Sequence, residues 1–269
     1  MKPTVLFILS SNYSGSTWLA LLLGSHSRAF YAGELNKMFH DEPMPCRLCE
    51  EKQSSCPVFH DVARVKSKNI HATALARTGK SLLVDNSKTI SWSKKFMADA
   101  RFERRYLHLL RDPRALAYSL QMRKRKPDYL DWMEKNYELR NFLREHRLEH
   151  RVVTYNEVAE QPEATLTEVC QWLGLKYEPA QKEYWNFEHH GPGRNGATAA
   201  FLENYTPSEE QFYSKHKRTH FHDLRWQEKL EPQVKHEIMH DPQMKLLLKD
   251  FGLEFSATGL MRADSKVPL

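Results

Sequence analysis

The chain has 269 residues, of which 41% are hydrophobic and 28% charged, and it carries a formal net charge of +6. This balance excludes a disordered chain and leaves enough apolar mass for a substantial buried core. The basic surplus suits an anionic ligand but equally a nucleic acid or no ligand, so charge alone assigns no partner.

In chain order, residues 4–9 form a continuous apolar run with β-branched members, the pattern of a buried parallel strand. A turn of small residues follows at 10–16, then an apolar helical stretch at 17–23 stopped by Gly24. Strand, small-residue loop and helix together open a nucleotide-binding α/β domain. A short strand is expected near 29–31, a second core strand at 81–85 and a third at 106–110. Asp112 then caps a helix whose first residue is Pro113, a strong start signal. A fourth core strand is read at 151–154 and a helix at 161–173. Repeated strand–helix units predict a central parallel sheet with helices on both faces. The region 207–251 reads as helical, with Trp226, Leu230, Ile238, Leu246 and Leu247 as core positions. The expectation is one domain over 1–269, with 255–269 as a loose tail. Neither apolar run, 5–9 or 19–23, reaches the roughly 20 residues of a membrane span, and neither reads as a secretory leader. A soluble cytoplasmic protein is therefore expected, without a membrane partner.

Two segments carry chemistry. The loop Ser11-Asn12-Tyr13-Ser14-Gly15-Ser16-Thr17-Trp18 joins the first strand to its helix, where backbone N–H groups and the helix N-terminus can cradle phosphate-like oxygens. An ordinary tight turn fits the same residues. The loop lacks the leading glycine of a Walker A motif, and Ser16 stands where its lysine would be. The second segment, Arg111-Asp112-Pro113-Arg114, begins at the carboxyl end of a strand, where open α/β sheets bind ligands. A guanidinium there suits bidentate contact with phosphate, although a capped helix with a salt bridge accounts for it equally. The basic stretches 101–105, 123–126 and 215–218 read as solvated faces or as a funnel for an anion. No nucleic-acid motif accompanies them.

Together the two segments resemble the sulfotransferases that use 3′-phosphoadenosine 5′-phosphosulfate (PAPS), over roughly residues 4–173. The resemblance implies a P-loop NTPase-like α/β sulfotransferase fold with a helical C-terminal part. It also implies transfer of a sulfuryl group to an acceptor hydroxyl, with 3′-phosphoadenosine 5′-phosphate (PAP) as product. On that pattern Tyr13, Ser14, Gly15, Ser16, Thr17 and Trp18 hold the 5′-phosphosulfate, and Arg111 and Ser119, eight residues on, hold the 3′-phosphate. Lys88, after the second core strand, is similar to a second catalytic lysine. Glu34, in a segment like the Arg-x-Gly-Glu region of tyrosylprotein sulfotransferases, takes the place of the base. The cytosolic branch uses a histidine two residues after the lysine, where this chain has Ile90, so His189 and His190 are the reserve bases. Arg194, in the glycine-rich loop 190–196, matches a late basic segment that closes over the nucleotide. The chain departs at Tyr13, where many relatives carry a lysine or arginine. That departure keeps a catalytically inactive PAP- or PAPS-binding module in view, beside a P-loop kinase of a small molecule as the rival enzyme.

Cysteines are few, four in all, and three cluster as Cys46, Cys49 and Cys56. With His60 four residues on they have the ligand types of a structural zinc site, and free thiols are the alternative.

Overall fold

The computed structural model of the chain describes residues 2–193, 196–202 and 222–263. Its elements run β1 (Thr4–Ser10), α1 (Ser16–Gly24), β2 (Ala29–Gly33), α2 (Arg47–Glu51), α3 (Ile70–Thr78), β3 (Leu82–Lys88), α4 (Ile90–Lys94), β4 (Glu103–Leu110), α5 (Pro113–Gln121), α6 (Tyr129–Glu145), β5 (His150–Thr154), α7 (Tyr155–Glu160) and α8 (Pro162–Trp172). After these come α9 (Trp226–Lys229), α10 (Pro232–His240), α11 (Pro242–Asp250), β6 (Leu253–Phe255) and β7 (Leu260–Arg262). Strands β1 to β5 form one central parallel sheet in the order β2-β3-β1-β4-β5, flanked by helices. The expected α/β class is thus the observed one.

The described residues fall into two compact units. One comprises 2–9, 16–106 and the described residues of 169–202; the other comprises 10–15, 107–168 and 222–263. In the first unit, Val5, Leu6, Phe7, Ile8 and Leu9 are all buried, as a strand covered on both faces requires. The Phe7 ring packs edge-on against His71 at 5.4 Å and stacks on Tyr106 at 5.3 Å. In the second unit, Trp132, Trp226, Ile238, Met244 and Leu247 form the centre of a core closed by Leu253 and Leu260.

Local signals account for the starts of elements. Asp112 accepts from the Arg114 amide ahead of Pro113, Asp128 caps α6, and Thr154 with Glu157 forms a reciprocal capping box at α7. Three features depart from the sequence reading. The longest described helix, α6, lies where no element was expected, although Trp132, Asn136, Leu139 and Leu143 recur at helical spacing and are buried. Leu246 is not a core residue but 63% exposed, because the helix begins at Pro242 and turns its neighbours Met244, Leu247 and Leu248 inward instead. Part of the expected tail is an antiparallel hairpin, with Leu253 opposite Arg262 and Phe255 opposite Leu260. No helix among the described residues is long and apolar enough to cross a membrane.

Candidate active site

In the second unit the loop after β1 has two residues with left-handed backbone, Tyr13 at φ 60° and Gly15 at φ 89°. A non-glycine residue held there costs free energy and is retained where the surroundings impose it. At Gly15 a Cβ would lie 2.8 Å from the Tyr155 ring, so both conformation and space call for glycine. Arg111, 4% exposed at the end of β4, donates from Nη1 to the Tyr13 carbonyl at 2.8 Å. Its Nη2 lies 3.4 Å from the Asp223 carboxylate, and the guanidinium sits 4.8 Å from the Tyr155 ring centre. Burial pushes the Asp223 carboxyl up, but hydrogen bonds from Arg225 and the charge of Arg111 outweigh it and hold it below its ordinary value.

Ser119 accepts from Arg123 Nη1 at 2.9 Å, and the Arg123 guanidinium lies 4.5 Å from the Tyr13 ring centre. Arg125 donates to the Tyr13 hydroxyl at 3.1 Å. Three arginines therefore converge on Tyr13. Arg123 and Arg125 appeared in the sequence only as part of a basic stretch, and nothing in the local pattern distinguished them from a solvated face. Arg114, by contrast, is structural: it binds Asp112 and the carbonyls of Ser256 and Gly259, and it lies over Trp226.

Among the described residues, the buried hydroxyls of Ser10, Ser11 and Ser14 and the Arg111 Nε are among the polar atoms without a hydrogen-bond partner. Donors left unsatisfied inside a protein are costly unless a ligand completes them. These three hydroxyls and the Arg111 Nε–H suit an oxygen-rich anionic ligand.

In the first unit, Ser16, Thr17 and Trp18 open α1 and are buried. Thr17 Oγ1 accepts from Asn86 Nδ2 at 3.4 Å, and the Asn86 carbonyl oxygen is unpartnered. Lys88 Nζ lies 2.6 Å from Glu34 Oε1, both side chains being partly exposed, so the structure brings together the proposed base and lysine. The lysine owes its place to a bulge. Between Phe7 and Leu9 on β1, β3 advances from Asp85 to Lys88, one residue more than its partner, and Lys88 has φ 69°. Buried Asp85 anchors the bulge: its carboxylate contacts His71 Nε2 at 2.7 Å and accepts from Trp92 Nε1 at 2.8 Å and from the Ser87 amide at 2.8 Å.

The reserve bases are otherwise engaged. His189 is buried, with Nε2 2.9 Å from the Tyr184 carbonyl, and burial pushes its pKa down to about 4. His190 Nδ1 lies 3.8, 3.3 and 3.9 Å from the sulfurs of Cys46, Cys49 and Cys56. These four ligand atoms are within 4.8 Å of one another, a group whose residue types are compatible with zinc. The histidine of this group is His190 and not His60, which is half exposed with its ring 4.0 Å from Asp61. The reason is a long-range pairing: Cys46 bridges Pro192, and the Arg47 amide donates to the Gly191 carbonyl, which carries His190 to the cysteines. Arg194 lies outside the described residues.

Against known proteins, residues 3–179 match the model of the sulfotransferase family. No curated protein matches the chain. Among solved structures, the chain is similar to the sulfotransferase domain from the curacin biosynthetic pathway, with a TM-score of 0.62 and 21% identity over 94% of this chain and 99% of that one. It is also similar to the sulfotransferase domain from the Synechococcus PCC 7002 olefin synthase, with a TM-score of 0.63 and 18% identity over 95% and 97% of the two chains.

Proposed function

Because the chain belongs to the sulfotransferase family, we propose that it transfers the sulfuryl group of PAPS to an acceptor hydroxyl by in-line displacement. The observation that carries the choice of donor is the bond from Arg111 to the Tyr13 carbonyl. It ties the Arg-Asp-Pro-Arg segment to the phosphosulfate loop across nearly a hundred residues of chain. Arg111, Ser119 and Arg123 take the 3′-phosphate in this reading, with charge-assisted bonds that an ATP-type donor, lacking that phosphate, would not satisfy. Arg123 and Arg125 supply positive charge at the loop position where Tyr13 replaces the usual basic residue. The Ser14 hydroxyl takes an oxygen of the 5′-phosphosulfate.

Glu34 receives the proton of the acceptor hydroxyl as its oxygen forms a bond to sulfur. The bond from sulfur to the bridging oxygen breaks, and PAP leaves with the electron pair. Lys88 orients the Glu34 carboxylate and neutralises charge that develops on the leaving phosphate. Positioning and preorganised charge supply most of the acceleration. The kinase alternative asks for a lysine where Ser16 stands. A binding module without catalysis would have no use for a glutamate and a lysine held 2.6 Å apart by a strand bulge.

Glu34→Gln is the test. With labelled PAPS and a panel of phenol, sugar and alkyl acceptors, turnover should fall at least a thousandfold while PAP binds as tightly as to wild type. Turnover near the wild-type rate would place the base elsewhere.

A further inference from the structure

The cysteine–histidine cluster is chemistry that sulfuryl transfer does not use. A tetrahedral zinc with bonds of about 2.3 Å to sulfur and 2.0 Å to nitrogen sets nitrogen and sulfur about 3.5 Å apart and two sulfurs about 3.8 Å apart. His190 Nδ1 stands 3.3 to 3.9 Å from the three sulfurs, close to the three nitrogen–sulfur edges of that tetrahedron, and all four ligand atoms lie within 4.8 Å of one another. The other ring nitrogen of His190, Nε2, lies 3.4 Å from Glu188, and Glu188 is held by Lys52 at 2.5 Å. A carboxylate on the far nitrogen fixes the ring and the tautomer of a metal-binding histidine. The Phe59 amide donates to Cys56 Sγ at 3.3 Å, a bond that suits a thiolate. All three cysteines are buried, and none is in a disulfide.

We propose that Cys46, Cys49, Cys56 and His190 bind one zinc ion that pins loop 189–193 to the end of β2 and so fixes the backbone of Glu34. The ligands come from two places far apart in sequence, residues 46–56 and residue 190, so the ion closes a long loop of chain. The same segment holds Glu34 directly: its amide donates to the Pro192 carbonyl at 3.2 Å. The approach is tight. A Cβ on Gly33 would lie 2.6 Å from that carbonyl oxygen, and one on Gly191 would lie 2.7 Å from the Ala32 carbonyl oxygen. The site is structural, since four protein ligands leave no open position for substrate.

The metal claim is tested without any assay of turnover. The protein purified under reducing conditions should contain one zinc per chain, and cobalt(II) exchanged into wild type should give the visible spectrum of a tetrahedral three-thiolate, one-nitrogen site. His190→Ala should lose or alter that spectrum, and His60→Ala should keep it. Hydrogen exchange then tests the pinning. Removing zinc should speed exchange of the Glu34 amide at least tenfold, while amides of β1 stay protected. Absence of both zinc and cobalt uptake in wild type, or an unchanged cobalt spectrum in His190→Ala, would overturn the site. Zinc that leaves without changing Glu34 exchange would overturn the pinning. Neither result depends on which donor or acceptor the enzyme uses.

Discussion

In the proposed reading, Tyr13 departs from the pattern the loop resembles, and neighbouring arginines supply the charge it lacks. A tyrosine has no charge to offer a phosphosulfate, yet its ring and hydroxyl gather Arg123 and Arg125, and its carbonyl holds Arg111. If Arg123 serves the 3′-phosphate through Ser119, Arg123→Ala should weaken PAP binding about tenfold or more, the scale of one charge-assisted hydrogen bond, and Arg123→Lys should recover part of it. Titration calorimetry at fixed ionic strength reads this directly, and equal affinity in all three proteins would remove Arg123 from the site. Arg111, Ser119 and Lys88 could be proposed from sequence because each sits at a fixed offset from a strand end or a motif, and Glu34 because its segment is like one in a known family. Arg123, and the place of His190 beside the cysteines rather than as a reserve base, could not be, because what selects them is a neighbour distant in sequence: Tyr13 for one, the pairing of Cys46 with Pro192 for the other.

At the scale of elements, the end of β3 joins fold to chemistry. The run 81–85 was readable as a strand from its apolar residues. Its continuation through Asn86, Ser87 and Lys88 was not, because polar residues there are held by a bulge and by buried Asp85 rather than by hydrophobic pattern. Asp85 carries out this task through His71, Trp92 and Ser87. In Asp85→Asn an amide N–H must face donors that now meet a carboxylate, leaving buried groups unsatisfied at a cost of about 1–3 kcal/mol each. The variant should unfold at lower urea and lose kcat through a displaced Lys88. A kcat equal to wild type would show that the bulge holds without Asp85. The helix α5 was legible from Asp112 and Pro113, and β1 from its unbroken apolar run, whereas α6 was not, despite its spacing, because charged residues fill the positions between its buried ones.

For the whole molecule, each unit encloses a histidine that burial keeps neutral. His108, bonded to Asn136 at 2.8 Å, and His189 are both pushed down to about 4 by burial. The unfolded chain takes up these protons near pH 6.5 and the native chain only near 4, so stability is present above 6.5 and is lost as pH falls between the two. Each histidine removes on the order of 2 kcal/mol by pH 5. Urea melts from pH 7.5 to 4.5 should show the decline, and His108→Gln should flatten it; a slope unchanged in that variant would assign the acid sensitivity to other groups.

The most direct measurement of the central claim is calorimetric titration of wild type and Arg111→Ala with PAP, ADP and Mg-ATP. The expected result is tight binding of PAP alone by wild type and its loss in Arg111→Ala. Preference for Mg-ATP, or PAP binding that survives removal of the Arg111 guanidinium, would contradict PAPS as donor and the 3′-phosphate role of the Arg111 segment.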